Sequence, residues 1–362
     1  MRTDLCDRFG IEYPIFGFTP SEHVAAAISR AGGLGVLGCV RFNDPGELDE
    51  ALTWMDEHTD GRPYGVDVVM PAKIPTEGAA VDLDALIPLE HREFVERTLT
   101  ELGVPPLDSH GSGVLGWLHS VARSHVDVAL RHPIRLIANA LGSPPVDVIE
   151  LAHRHDIPVA ALAGKAEHAR RHVANGVDIV VAQGYEAGGH TGEIASMVLV
   201  PEIVDAVDVP VLAAGGIGSG RQLAAALALG ASGGWLGSCW LTTSEYSEGL
   251  PASATQAALL AAGSSDTVRS RIYTGKPARL LKTRWTEAWA QPDAPAPLPM
   301  PLQNLLVADA HQRIMRSGDP TVVSMPVGQI VGRMNEIRPV AAVMADLLRE
   351  FDDTLTRLDK LR

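Results

Sequence analysis

Cysteine is scarce in this chain: three among 362 residues, at positions 6, 39 and 239. An odd, widely spaced set is not a disulfide framework, and no C-x-x-C pair offers a zinc site. A reducing, cytoplasmic setting is the expectation. Long apolar runs are also missing. No stretch approaches the about 18 apolar residues of a membrane span, and the first residues, Met1 to Arg8, lack an apolar signal core. Aromatics are only 5%, too few for a base-stacking platform. Positive charge is outnumbered: 30 Lys and Arg against 44 Asp and Glu give a net charge of −14. Such a surface repels phosphate backbones and anionic lipid, which excludes nucleic acid and membrane as first partners. An anionic small molecule would need a locally positive pocket.

What is plentiful is glycine (35), proline (25) and hydrophobic residues (46%), a globular composition rich in tight turns. Short apolar runs alternate with helical segments. Strands are expected over 13–17, 35–39, 64–69, 135–139, 159–162, 179–183, 211–214 and 234–237. Runs such as Ile179-Val180-Val181 and Val211-Leu212-Ala213-Ala214 are apolar throughout, as in parallel sheets buried on both faces. Eight such strands with crossover helices predict an α/β fold, a closed (β/α)8 TIM barrel; an open doubly wound sheet is the alternative.

Thr19-Pro20-Ser21-Glu22 reads as a capping box opening the first helix, and Asp44-Pro45 and Ser219 as the starts of two more. Two stretches depart from the repeat. One is an insertion at 71–116 after the third strand, with a helix near 90–102. The other, 264–321, begins rich in Arg and Lys, carries a Pro-rich run over 291–299, and reads as a cap. The domain division expected is therefore a barrel of 1–263 with 322–362, capped by 264–321; 327–361 is helical in pattern.

The stretch most informative about chemistry is Gly184-Tyr185-Glu186-Ala187-Gly188-Gly189-His190-Thr191-Gly192, which follows the sixth strand. Active sites of such barrels lie at this end of the strands, and four glycines allow close backbone approach to a ligand. His190 is placed there for acid–base work or for hydrogen bonding. Gly215-Gly216 after the seventh strand and Gly237-Ser238 after the eighth lie where barrels hold a phosphate on backbone N–H groups. A phosphorylated cofactor is expected without a basic patch.

Three look-alikes carry no function. Gly216-Ile217-Gly218-Ser219-Gly220 is one residue short of a dinucleotide fingerprint. Gly230-Ala231-Ser232-Gly233-Gly234 has the G-x-S-x-G string but precedes a strand, where a nucleophile elbow must follow one. His168 and His172, four apart on a helix, read as a solvated face, as do His153 and His155, and no metal is expected. Cys39 and Cys239 read as small core residues.

Taken together, these residues resemble the nitronate monooxygenase (2-nitropropane dioxygenase) family. The resemblance rests on Pro14-Ile15, the 31–38 segment from Ala31 to Gly38, Pro63-Tyr64-Gly65-Val66-Asp67, Glu186-Ala187-Gly188-Gly189-His190-Thr191-Gly192, Ala214-Gly215-Gly216-Ile217 and Leu236-Gly237-Ser238. It implies a TIM barrel binding FMN. Gly17, Phe18 and Thr19 would lie along the isoalloxazine; Gln183, Gly188, Gly189 and Asp67 would lie near the flavin. Gly215, Gly216, Gly237 and Ser238 would hold its phosphate, and His190 would be the catalytic residue. Gln329 matches a Gly-Gln element near the C-terminus of relatives. The implied reaction is oxidation of alkyl nitronates with O2 to carbonyl compounds and nitrite, in a protein that is a possible homo-oligomer.

Two departures stand out. The loop after the first strand is short and lacks the Gln and Met common in relatives. Asp67 also replaces the usual Asn, and an ionised carboxylate accepts hydrogen bonds without donating any. The alternative on the same barrel is an NAD(P)H-dependent reductase of quinones or enoyl thioesters. A non-catalytic flavin-binding protein and a flavin-free barrel enzyme are further readings, separated by whether a bound flavin exists and is reduced.

Overall fold

A computed structural model describes residues 1–70, 83–107 and 119–361. Eight parallel strands close into a barrel: β1 (Ile15–Thr19), β2 (Leu34–Gly38), β3 (Tyr64–Val68), β4 (Ile137–Asn139), β5 (Val159–Ala163), β6 (Ile179–Gln183), β8 (Val211–Ala214) and β9 (Gly233–Leu236). Closure is made by β1 on β9, with Phe16 opposite Trp235 and Gly17 opposite Leu236. Each stave falls on a run expected to be a strand. Side chains alternate across a strand, so one set faces the barrel axis and the other the surrounding helices. Phe16, Val36, Ala138, Ala160, Val181 and Leu212 make the inner core. Val66, Val68, Ile137 and Val159 pack outward against helices.

Three further short strands lie outside the barrel. β7 (Gly189–His190), β10 (Thr267–Ser270) and β11 (Ala278–Leu281) form an antiparallel sheet with β11 in the middle. Ala278 pairs with His190, and Arg279 with Gly189.

The helix starts follow their capping chemistry, with one shift. Asp44 and Ser219 accept from the N–H groups of Gly46 and Gln222, opening Pro45–His58 and Gly220–Ala228. The first crossover helix runs Glu22–Arg30, and its N-cap is Ser21 rather than Thr19. Thr19 still belongs to β1, where its hydroxyl accepts from the Ser21 N–H at 3.1 Å. The insertion helix spans Leu89–Glu101, and the Pro-rich run has no helix or strand. At the C-terminus the helix begins only at Val340 and runs to Asp359; residues 329–333 form a short 3-10 turn instead.

Part of the insertion and the 264–321 segment share one hydrophobic cluster. Phe94 and Leu99 pack with Trp285, Trp289, Val307 and Ile314. Arg313 ties the two, donating to the Glu96 carboxylate at 2.8 Å and to the Pro105 carbonyl at 3.0 Å. His91 reaches the Ala296 carbonyl in the Pro-rich run at 3.0 Å. The rest of the insertion, 71–82 and 108–116, lies outside the described residues.

The look-alike motifs resolve into structure. Gly220 lets the C-terminal helix cross closely: a Cβ there would sit 1.9 Å from the Leu347 carbonyl oxygen. Gly230 has φ +96 in the turn before β9, and Ser232 N–H bonds the Val211 carbonyl at 2.7 Å. The solvated-face reading of His172 is corrected: it is buried, with Nε2 3.1 Å from the Leu162 carbonyl oxygen. The helix Ala166–Ala174 turns that residue towards β5, which the i, i+4 spacing alone did not reveal. His153 pairs with Asp178 at 2.8 Å. Among the described residues no group of three metal-ligating side chains forms, and Cys6, Cys39 and Cys239 are free and buried.

Candidate active site

The expected site residues sit on β1, β3, β6 and β7 and in the loops that follow β6, β8 and β9. β6 ends in Gln183, and the glycine loop follows it directly. Ile179 and Val181 face the axis, so Gln183, two further on, does too. Its amide has no hydrogen-bond partner among the described residues.

The loop is held from several sides. Glu186 accepts from Ser196 N–H at 3.0 Å and from its hydroxyl at 2.9 Å. Arg279 donates to the Tyr185 carbonyl through Nη2 at 2.9 Å and Nε at 3.1 Å, and its guanidinium lies 4.5 Å over the Tyr185 ring. Arg269 donates to the Thr191 carbonyl at 3.1 Å. Gly188 has no room for a side chain: a Cβ would lie 2.7 Å from the Gly328 nitrogen. Gly189, at φ +74, turns the chain into β7.

His190 lies at the end of β7, partly exposed, with Nε2 2.7 Å from the Thr274 hydroxyl. That hydroxyl also accepts from the Lys276 N–H at 3.3 Å. Burial, and then the positive charge of Lys276, press the imidazole down from 6.5 to about 4. It is therefore neutral at pH 7. Lys276 is itself lowered by burial.

The phosphate-type loops meet the C-terminal Gly328-Gln329 segment. Ser238 Oγ accepts from Gly328 N–H at 2.8 Å, which leaves its own proton to donate. Gln329 N–H bonds the Glu186 carbonyl at 2.9 Å. Gly215 and Gly216 adopt φ +91 and +72, which a side chain would strain. The N–H groups of Gly215, Gly216, Gly237 and Ser238 have no partner among the described residues. Free backbone donors in loops after the neighbouring strands β8 and β9 fit a phosphate monoester, as does the hydroxyl of Ser238.

The residues of the first strand divide. Phe18 faces inward, stacked on Trp235 with ring centroids 6.3 Å apart. Gly17 would send a side chain outward onto Ile28, 2.5 Å away, and Thr19 is 1% exposed and spent on its turn. Asp67 faces inward from β3, in register with Gly38 and Ala138, and is 3% exposed. Burial pushes its carboxyl up from 3.8 to about 8. Burial therefore favours the protonated carboxyl, which can donate as well as accept.

Sequence reasoning missed Thr274, Lys276 and Arg279. The turn Thr274-Gly275-Lys276, with Gly275 at φ +88, was the available signal.

A closed parallel barrel with these glycine loops, their free backbone donors and a neutral histidine at its mouth is the framework of a flavin-dependent oxidoreductase. Comparison with known proteins agrees. Residues 2–350 match the nitronate monooxygenase family. A Mycobacterium tuberculosis protein named "Putative monooxygenase Rv1533" is 52% identical, covering 100% of this chain and 99% of its own. A "Probable nitronate monooxygenase" of Staphylococcus aureus strain JH9 is 27% identical over 97% of this chain and 98% of its own. Among solved structures, nitroalkane oxidase from Streptomyces ansochromogenes superposes with a TM-score of 0.81 at 28% identity, covering 98% and 99% of the two chains. FabK from Thermotoga maritima does so with 0.76 at 27%, covering 100% of both. The chain belongs to the nitronate monooxygenase family.

Proposed function

We propose that this protein is an FMN-dependent nitronate monooxygenase that oxidises small alkyl nitronates with O2 to carbonyl compounds and nitrite. The observation that carries the reading is His190: a neutral imidazole, fixed through Nε2 by Thr274, on the glycine loop that follows Gln183. Bound FMN would supply an electron sink that also passes electrons to O2. Gly215, Gly216, Gly237 and Ser238 would hold its phosphate; Gln183, Gly188, Gly189, Asp67 and the chain at Gly17, Phe18 and Thr19 would surround its ring.

A nitronate is anionic, and the protein as a whole is too. Lys276 offsets this locally, giving the anion a positive neighbour beside His190. Nδ1 of His190 is the ring nitrogen left for substrate, since Nε2 is engaged by Thr274. It serves as base towards a neutral nitroalkane's α-proton.

Likeness to FabK along the whole chain keeps a second reading in play, an NAD(P)H-dependent reductase of quinones or enoyl thioesters. Anaerobic stopped-flow mixing with propyl-2-nitronate, NADH and NADPH separates the two. Bleaching of the flavin by nitronate alone is the expected result; fast bleaching by a pyridine nucleotide would transfer the protein to the reductases. With a neutral nitroalkane as substrate, His190→Asn should cut turnover on the order of a hundredfold while flavin stays bound, within the range of a lost general base.

A further inference from the structure

The staves of the barrel turn an almost wholly apolar surface inward. Of their inward positions, Gln183 and Asp67 are the polar exceptions, and Asp67 alone is ionisable. No cation faces it among the described residues. From the end of β2 the neighbouring titratable group is the Cys39 thiol, which burial holds protonated. Arg41, on the same side, is engaged by Glu22 and lies 4.0 Å over the Phe42 ring. From β4 comes only the Ala140 N–H, which already bonds the Val68 carbonyl at 3.1 Å. An isolated buried carboxylate with one shared donor is poorly compensated, and protonation relieves it.

A neutral carboxyl carries one O–H donor and one carbonyl acceptor, the same pair that an amide offers. We propose that Asp67 binds the flavin as a neutral carboxylic acid, donating to an acceptor on the ring edge, and that its loss of a proton at alkaline pH releases the cofactor. The inference rests on the flavin reading above. Its thermodynamic signature is linkage. If the cofactor binds only the protonated form, its dissociation constant rises about tenfold per pH unit once the carboxyl ionises. With ionisation at about 8 in the free protein, affinity falls about 25-fold between about pH 7.5 and about pH 9.5.

The test uses the purified holoprotein. Released flavin is measured by fluorescence after ultrafiltration, from about pH 6 to about pH 9.5. Wild type should lose flavin progressively on the alkaline side, reversibly. Asp67→Asn, which keeps donor and acceptor but cannot ionise, should hold flavin evenly across the range. Should that variant misfold, Asp67→Ser removes the same ionisation. Wild-type infrared difference spectra should also show a protonated-carboxyl band that disappears over the same pH interval. Flavin retention in wild type that does not change with pH, or an unchanged alkaline loss in Asp67→Asn, overturns the proposal while leaving the flavin reading intact. A protein that binds no flavin at about pH 6, where Asp67 is neutral, overturns both.

Discussion

At the scale of single residues, His190, His311 and Asp67 each contribute to the pH dependence of stability. His190 and His311 are both held down to about 4 by burial. The unfolded chain takes up their protons first as pH falls below about 6.5, so stability present above that pH drains away towards about 4. Asp67 works in the opposite sense. Its raised value contributes stability at low pH, and this is lost as pH rises through about 8. Urea unfolding midpoints should therefore peak between those limits. His311→Phe, which keeps the stack on Tyr273, should flatten the acid limb, and Asp67→Asn the alkaline limb. Thr274 is a positioning residue of the same neighbourhood. Thr274→Val should lower kcat about tenfold with flavin retained, the worth of one hydrogen bond of about 1.4 kcal/mol, and Thr274→Ser should restore it. An unchanged kcat in Thr274→Val would remove that residue from the mechanism.

At the scale of elements, legibility followed locality. Each stave is a short apolar run closed by glycine or proline, so all eight were readable without partners. His190 was readable because four glycines frame it. Its partner was not: Thr274 lies 84 residues further on and touches it only through the pairing of β7 with β11. No periodicity encodes such a meeting. The shift of the first cap from Thr19 to Ser21 has the same origin, since where β1 ends depends on its neighbours β2 and β9. The helix crossing at Gly220 was equally silent, because a glycine's purpose shows only when the other backbone is present. Gly220→Ala should cost about 1–3 kcal/mol by overpacking against Leu347 and Phe351. It would be read as a lower urea midpoint; a stability equal to wild type would mean that the two helices part easily.

At the scale of the whole molecule, the lobe built from the insertion helix and the 264–321 segment has a hydrophobic cluster separate from those of the barrel. The lobe's core joins the insertion helix Leu89–Glu101 to the helix Leu302–Ser317 through Arg313. Arg313→Ala should weaken that joint by about 2 kcal/mol, since several hydrogen bonds go at once. Hydrogen exchange should quicken in those two helices while the staves keep their protection. Uniform loss of protection would show instead that lobe and barrel unfold together. The pairing of β7 with β11 has a consequence for how such a protein diversifies. The residues proposed to seat the cofactor lie on the staves and in the loops that follow them, whereas the histidine is pinned by β11. Variation in the segment around β11 therefore re-aims the reactive imidazole without disturbing the seat beneath it. An exchange of 267–281 between relatives should therefore carry substrate preference with it as a portable cassette.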